Sequence, residues 1–122
     1  MRTENLPIIN TSTPLKDAIV RMSEGKLGTV LIVDKEESFT ALLSDGDLRR
    51  ALMQEGFSLD HLAIDYACKD PKRYTNTELL ASEALEIIEE ERIQLLPITN
   101  DAGKIIGVLH IHDLVNAGIK SK

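Results

Sequence analysis

The sequence has few of the features that are typical of disulfide-bonded, membrane-spanning or nucleic-acid-binding proteins. Its single cysteine, Cys68, excludes an intramolecular disulfide and favours the cytoplasm. No apolar stretch approaches the roughly 18 residues that a membrane span needs, and the first ten residues lack the apolar region of a signal peptide. A formal net charge of -6 without any basic run argues against electrostatic binding to nucleic acid or anionic lipid. We therefore expect a cytoplasmic protein.

Aromatic residues are also scarce, at 3% of the chain, and tryptophan is absent, so aliphatic side chains must build the core. A hydrophobic fraction of 43% argues against disorder, and 122 residues suffice for one domain or for two small units sharing a core. The sequence has no Walker loop, no GxGxxG turn and no nucleophile elbow. These absences argue against an enzyme, and we predict no catalytic residue.

An internal repeat is the strongest signal that is present. Sliding the sequence by 66 positions, the distance from Asp47 to Asp113, aligns its two halves without a gap. The identical pairs include Thr11/Thr77, Ala18/Ala84, Glu24/Glu90, Ile32/Ile98, Leu43/Leu109, Asp47/Asp113, Leu48/Leu114 and Ala51/Ala117.

Each copy has the pattern of a βαββα unit. In the first copy, the pattern predicts a helix capped by Thr13, begun by Pro14 and ended by Gly25, and a short closing helix near Asp47 to Met53. The predicted strands include the hairpin pairs 29–33 with 39–44, and 95–99 with 105–109. The fold class is therefore α/β (α+β), with two repeats packed around a pseudo-two-fold axis. Residues 1–56 form repeat 1, residues 57–70 a linker with a turn of helix near Leu59 or Tyr66, and residues 71–122 repeat 2.

The chemistry is predicted at the corner where the third strand enters the closing helix. The Ser44 hydroxyl and the free N–H groups of the helix start are donors that suit a phosphate. Asp47 can accept hydrogen bonds from a ribose, and Gly46 allows a ligand to approach the backbone. The same Ser-x-x-Asp spacing is also an ordinary helix cap, and the spacing leaves both interpretations open.

The equivalent corner of the second copy carries His110, His112 and Asp113. A zinc site would need about four ligands, and Cys68 is remote, so anion binding or simple packing is favoured over metal and no metal site is predicted. Arg49 and Arg50 are an adjacent basic pair at the corner, and either contact a phosphate or form a solvated surface pair.

The corner sequences carry a family resemblance. The double βαββα pattern with apolar-x-apolar-Ser/Thr-x-x-Asp corners resembles the cystathionine-β-synthase (CBS) domain pair, or Bateman module, over residues 6–118. The segments LLSDGDLRRAL and GVLHIHDLVNAG are similar to the C-terminal regulatory region of bacterial D-arabinose 5-phosphate isomerases. His110 stands where the general CBS pattern has Thr or Ser, a departure that the isomerase subfamily shares.

The resemblance implies a regulatory, ligand-sensing module that is not itself an enzyme and requires no cofactor. Its implied effector is an adenine nucleotide (AMP or ATP) or the sugar nucleotide CMP-Kdo, which links it to Kdo and lipopolysaccharide biosynthesis. Its implied partners are an upstream sugar-isomerase (SIS) domain and a second copy of the chain, giving a homodimer here and a tetramer in the parent enzyme. Two alternatives are an oligomerisation scaffold with an empty cleft, and a histidine corner that contributes to the active site of the parent. The predicted ligand contacts are Thr11, Val30, Leu31, Ser44, Asp45, Gly46, Asp47, Arg49, Thr77, Leu96, Pro97, His110, His112 and Asp113.

Overall fold

The structure is a computed structural model that describes residues 6–25, 28–69, 83, 86–89 and 95–110. Residues 7–71 form one compact unit, and residues 1–6 with 72–122 form another. Within the described ranges, no helix has the length and apolar character to cross a bilayer.

The first unit is built on a three-stranded sheet. Strands β1 (Ile8–Asn10), β2 (Thr29–Val33) and β3 (Phe39–Ser44) lie in the order β1-β2-β3. Strand β1 runs parallel to β2, whereas β2 and β3 form an antiparallel hairpin. The first four residues of β2 are all buried, which confirms the prediction that this aliphatic run is covered on both faces of the sheet.

Two helices complete this unit. Helix α1 (Leu15–Gly25) buries Leu15, Ala18 and Met22, which recur at helical spacing, and it ends at Gly25 as predicted. Helix α2 (Asp45–Leu52) follows β3 directly. The core of the unit combines one face of α1 with one face of the sheet, and its members are Ile9, Leu15, Ala18, Met22, Val30, Ile32, Ala41, Leu43 and Ala63.

The start of α1 differs from the prediction that Thr13 caps it. The Thr13 hydroxyl accepts a hydrogen bond from the Asn10 N–H at 3.2 Å instead. The N–H groups of Leu15 and Lys16 donate to the carbonyl oxygens of His61, at 2.7 Å, and Leu59, at 3.0 Å. Backbone carbonyls from a distant segment thus satisfy donors that a helix start normally offers to a capping side chain.

That segment, residues 57–69, packs against the first repeat. It contains a 3₁₀ helix, Ala63–Tyr66, which confirms the predicted turn near Tyr66, and Ala63 is fully buried. Cys68 then pairs with β3, because its N–H donates to the Leu42 carbonyl at 2.8 Å and its carbonyl accepts from the Leu42 N–H at 2.9 Å. This segment therefore contributes both a core side chain and sheet pairing.

The second unit contains the equivalent hairpin. Strands β4 (Leu95–Thr99) and β5 (Ile105–His110) are antiparallel, and β5 runs one residue further than predicted. Residues 86–89 are helical, and Ile88 among them is fully buried.

The two hairpins agree position by position at the offset of the repeat. The register shifts between Ile32 and Val33 in one hairpin and between Ile98 and Thr99 in the other. In both turns the first side chain accepts two backbone N–H bonds: Asp34 from Glu36 and Ser38, and Asn100 from Ala102 and Lys104. Glu37 and Gly103 follow at the same place in the two turns, with positive φ values of 65° and 81°. The repeat seen in the sequence is therefore a repeat of backbone conformation.

Candidate functional site

The Ser44 corner, defined here as Ser44, Asp45, Gly46, Asp47 and Arg50, lies where β3 enters α2. Ser44 is the N-cap of α2 in an extended conformation, with φ -103° and ψ 166°. Its hydroxyl accepts from the Asp47 N–H at 3.2 Å, and its own N–H donates to Asp47 Oδ2 at 3.0 Å. The two residues form a reciprocal capping box. Helix α2 consequently begins at Asp45, two residues before the predicted start at Asp47.

The second oxygen of Asp47 is also engaged. Arg50, one helical turn further on, places Nη2 at 2.6 Å from Asp47 Oδ1. The aspartate side chain is 16% exposed and the arginine side chain 71% exposed. Pairs with one partner so exposed contribute roughly 0–1 kcal/mol, so this ion pair can exchange with other groups.

Gly46 lies next to that guanidinium. Its φ is not positive, so its conformation is open to any residue. A Cβ built on Gly46 would lie 3.4 Å from Arg50 Nη1 and 3.6 Å from Ser44 Oγ. A cation and a hydroxyl therefore both lie close to the Gly46 backbone in the first turn of α2.

The other two polar residues predicted here are solvent-exposed. Asp45 donates its backbone N–H to the Gly28 carbonyl at 3.0 Å, and its side chain is exposed. Arg49 is exposed as well. Arg49 was the predicted ligand contact, but the arginine that reaches the Asp47 carboxylate is Arg50. The signal for it was the Asp-x-x-Arg spacing, which places both side chains on one helix face.

The predicted apolar contacts are all buried. Val30 belongs to the core of the first unit, and Leu31, on the opposite face of β2, is fully buried outside that cluster. Leu96 and Pro97 are buried in β4. Thr11 is half-buried and donates its N–H to the Val33 carbonyl at 3.1 Å. Their roles as ligand contacts remain predictions.

His110 occupies the place of Ser44 in the second repeat. It is the last residue of β5, lies opposite Leu95 and is 4% exposed. Thr77, His112 and Asp113, the other predicted residues of this repeat, lie outside the described residues. Within the part of the chain that the structure describes, no group of three or more His, Cys, Asp or Glu side chains could hold a metal ion.

Comparison with protein families identifies the fold. Residues 1–54 and 67–120 each match the CBS domain, so the chain belongs to the CBS domain family as a tandem pair. This confirms the resemblance that the corner motifs carried.

Curated relatives extend the likeness to longer proteins. The chain is 43% identical over 121 residues to an uncharacterised protein of Helicobacter pylori, covering 99% of the chain and 36% of that protein. It is 33% identical over 116 residues to the arabinose 5-phosphate isomerase KdsD of Pseudomonas aeruginosa, covering 95% of the chain and 35% of the enzyme. The chain thus spans about a third of the length of these relatives.

Solved structures show the same architecture. CBSX2, a CBS-pair protein of Arabidopsis thaliana solved with AMP, has a TM-score of 0.83 at 22% identity, with 97% of this chain and 91% of that chain covered. The CBS domain protein PAE2072 of Pyrobaculum aerophilum, also complexed with AMP, has a TM-score of 0.77 at 20% identity, with 93% and 89% covered. At these identities the likeness establishes the mixed α/β fold of a CBS pair.

Proposed function

We propose that the chain is the nucleotide-sensing regulatory module of an arabinose 5-phosphate isomerase. The observation that carries this proposal is the alignment of nearly the whole chain with about a third of KdsD of Pseudomonas aeruginosa. The remaining two thirds of such an enzyme would hold the sugar-isomerase domain that the module regulates. The module itself would have no isomerase activity and would require no cofactor.

The Ser44 corner supports a nucleotide as the effector. A phosphate would accept hydrogen bonds from the Ser44 hydroxyl and from the Gly46 N–H at the start of α2, because the Asp45 and Asp47 N–H groups already donate to the Gly28 carbonyl and the Ser44 hydroxyl. Asp47 would accept from the ribose hydroxyls, since each carboxylate oxygen offers two lone pairs. Two structural neighbours were solved with AMP, which favours an adenine nucleotide. CMP-Kdo is the alternative ligand, because its sugar lies downstream of the product of the isomerase family.

The proposal extends to organisation and location. Residues 1–56 and 71–122 would act as the two CBS repeats, joined by residues 57–70, and the chain would pair with a second copy of itself, giving a tetramer in the parent enzyme. The cytoplasm fits a protein whose lone cysteine, Cys68, is an exposed free thiol.

A structural role is the second candidate, and one observation favours it. Both oxygens of Asp47 already have partners within α2 and its cap, so the corner is explained without a ligand. In that case the module would serve to assemble the enzyme, and the cleft predicted between the repeats would stay empty.

Calorimetric titration with AMP, ATP, CMP and CMP-Kdo distinguishes the two roles. We expect at least one ligand to bind the chain, and Asp47→Asn to weaken that binding about tenfold through loss of a charge-assisted hydrogen bond. Asp101→Asn is the matched control, because Asp101 is exposed in the turn of the second hairpin. Absence of binding by all four ligands at millimolar concentration would contradict nucleotide sensing and favour the scaffold.

A further inference from the structure

The ion pair between Arg50 and Asp47 bears on which ligands the proposed site prefers. We infer that Arg50 makes the Ser44 corner selective for phosphorylated over unphosphorylated nucleosides. The ribose takes the aspartate oxygen that Arg50 now holds, and the released guanidinium binds the phosphate. This inference rests on the proposed nucleotide site and assigns to it a residue that the corner motif does not include.

The first step is competition for one oxygen. Asp47 Oδ2 is held by the Ser44 N–H within the capping box, so a ligand that displaced it would have to open the helix cap. Among the described residues, Oδ1 is held by Arg50 alone, whose side chain is 71% exposed. Because exposed ion pairs are weak, ribose hydroxyls can replace the guanidinium without disturbing α2. Oδ1 is therefore the oxygen available to the ligand.

The second step is the position of the released cation. Arg50 Nη1 and Ser44 Oγ lie 3.4 and 3.6 Å from the position of a Cβ built on Gly46, so both groups lie beside the Gly46 backbone. A phosphate bound over that backbone would be in reach of both groups after a small movement of the flexible arginine. The guanidinium is planar and presents paired N–H groups that match phosphate oxygens, so it gains a partner as good as the one it lost.

These two steps together produce discrimination. An unphosphorylated nucleoside would displace Arg50 from Asp47 and leave the guanidinium with water alone. A nucleotide would displace it and supply a phosphate at the same place. Arg50 therefore opposes nucleosides and favours nucleotides, and its effect appears in the ratio of the two affinities.

The test is calorimetric titration of the wild-type chain and Arg50→Met with AMP and adenosine, and with CMP and cytidine. We expect the preference for the monophosphate over its nucleoside to fall about tenfold in Arg50→Met, through loss of charge-assisted hydrogen bonds to the phosphate. Nucleoside affinity should stay constant or rise, because no ion pair has to be broken. Arg50→Lys keeps the charge but not the planar guanidinium, so its preference for the monophosphate should lie between those of the wild-type chain and Arg50→Met.

Lys35→Met is the matched control, since it removes one positive charge from an exposed residue in the β2–β3 turn, at the far end of β3 from Ser44. If Lys35→Met and Arg50→Met change the ratio of monophosphate to nucleoside affinity equally, the proposed role of Arg50 is overturned. A parallel loss of nucleoside and nucleotide affinity also overturns it, because such a loss indicates damage to the cap; circular dichroism of each variant checks the fold. Absence of binding to AMP and CMP, and also to ATP and CMP-Kdo, contradicts the proposed function itself, whereas an unchanged ratio in a chain that binds removes only the role of Arg50.

Discussion

Ser44 and His110 hold the same place in two matching hairpins: Ser44 lies opposite Thr29 at the end of β3, and His110 lies opposite Leu95 at the end of β5. The serine hydroxyl caps α2, whereas the imidazole is 4% exposed. The same backbone position thus holds a helix-capping hydroxyl in one repeat and a buried imidazole in the other. The two repeats therefore cannot offer a ligand the same contacts.

Gly46→Ala should separate folding from binding. Replacing glycine by alanine within a helix stabilises it by roughly 0.5–1 kcal/mol, and the added Cβ would meet nothing closer than 3.4 Å. The same methyl fills the space between Arg50 and Ser44, so AMP binding should weaken about tenfold. Urea unfolding and calorimetry measure the two effects. Gly56→Ala is the control, because Gly56 has a φ of 83° with nothing within 4 Å of the added Cβ; it should lose stability and keep binding. Unchanged AMP affinity in Gly46→Ala would show that the ligand does not use this space.

Thr99→Val should stabilise the second unit. The Thr99 hydroxyl is fully buried and has no hydrogen-bond partner among the described residues, and Val33 holds the equivalent place in the first repeat. Removing an unsatisfied buried hydroxyl should add about 1 kcal/mol to the free energy of unfolding. The midpoint of urea unfolding measures the change. Thr40→Val is the comparison, because the Thr40 hydroxyl donates a hydrogen bond to the Ser38 carbonyl at 3.0 Å. This variant should have an unchanged or lower free energy of unfolding. A loss of stability in Thr99→Val would mean that the hydroxyl is solvated.

The turn of the first hairpin holds a residue in the left-handed region, Glu37, where the second hairpin has Gly103. We expect Glu37→Gly to stabilise and Gly103→Ala to destabilise the chain, each by about 1 kcal/mol, because only glycine adopts this conformation without strain. Thermal unfolding measures both. Glu36→Gly removes the same side chain from the neighbouring position, where φ is not positive, and should destabilise the chain. Equal effects of the two glutamate substitutions would exclude strain as the cause.

Ala63→Leu should destabilise the chain by about 1–3 kcal/mol through overpacking, because Ala63 is fully buried in the core of the first unit. Chemical denaturation gives the difference. Asp65→Leu introduces the same side chain at an exposed position of the same 3₁₀ helix and should change stability little. Tolerance of Ala63→Leu would mean that residues 57–69 do not pack on the first repeat in solution.

The sequence alone predicted the parts of the fold in which local pattern and tertiary structure agree. The aliphatic run of β2, the two hairpins and the end of α1 at Gly25 all follow from periodicity and turn chemistry. The repeat offset also matches the two hairpin turns, where the side chains of Asp34 and Asn100 accept equivalent hydrogen bonds.

The missed features depend on contacts that periodicity does not encode. The cap of α1 was assigned to Thr13, the nearest suitable side chain, because carbonyls from residues more than 40 positions away have no sequence signature. Arg49 was predicted as the ligand contact in place of Arg50, although the i,i+3 spacing of Asp47 and Arg50 already lay within the predicted helix; the ion pair itself is seen only in the structure.

The backbone cap of α1 has a consequence for how this module can change over time. Leu59 and His61 stabilise the helix through their carbonyl oxygens, while their own side chains are exposed. Every amino acid carries that carbonyl, so a substitution at either position leaves the capping acceptor in place, while a change of His61 also removes the hydrogen bond between its ring and the Tyr66 hydroxyl. A shift in chain length between the 3₁₀ helix and α2, by contrast, would move both carbonyls at once. Insertions and deletions, rather than point substitutions, are therefore the changes to which the start of α1 is sensitive.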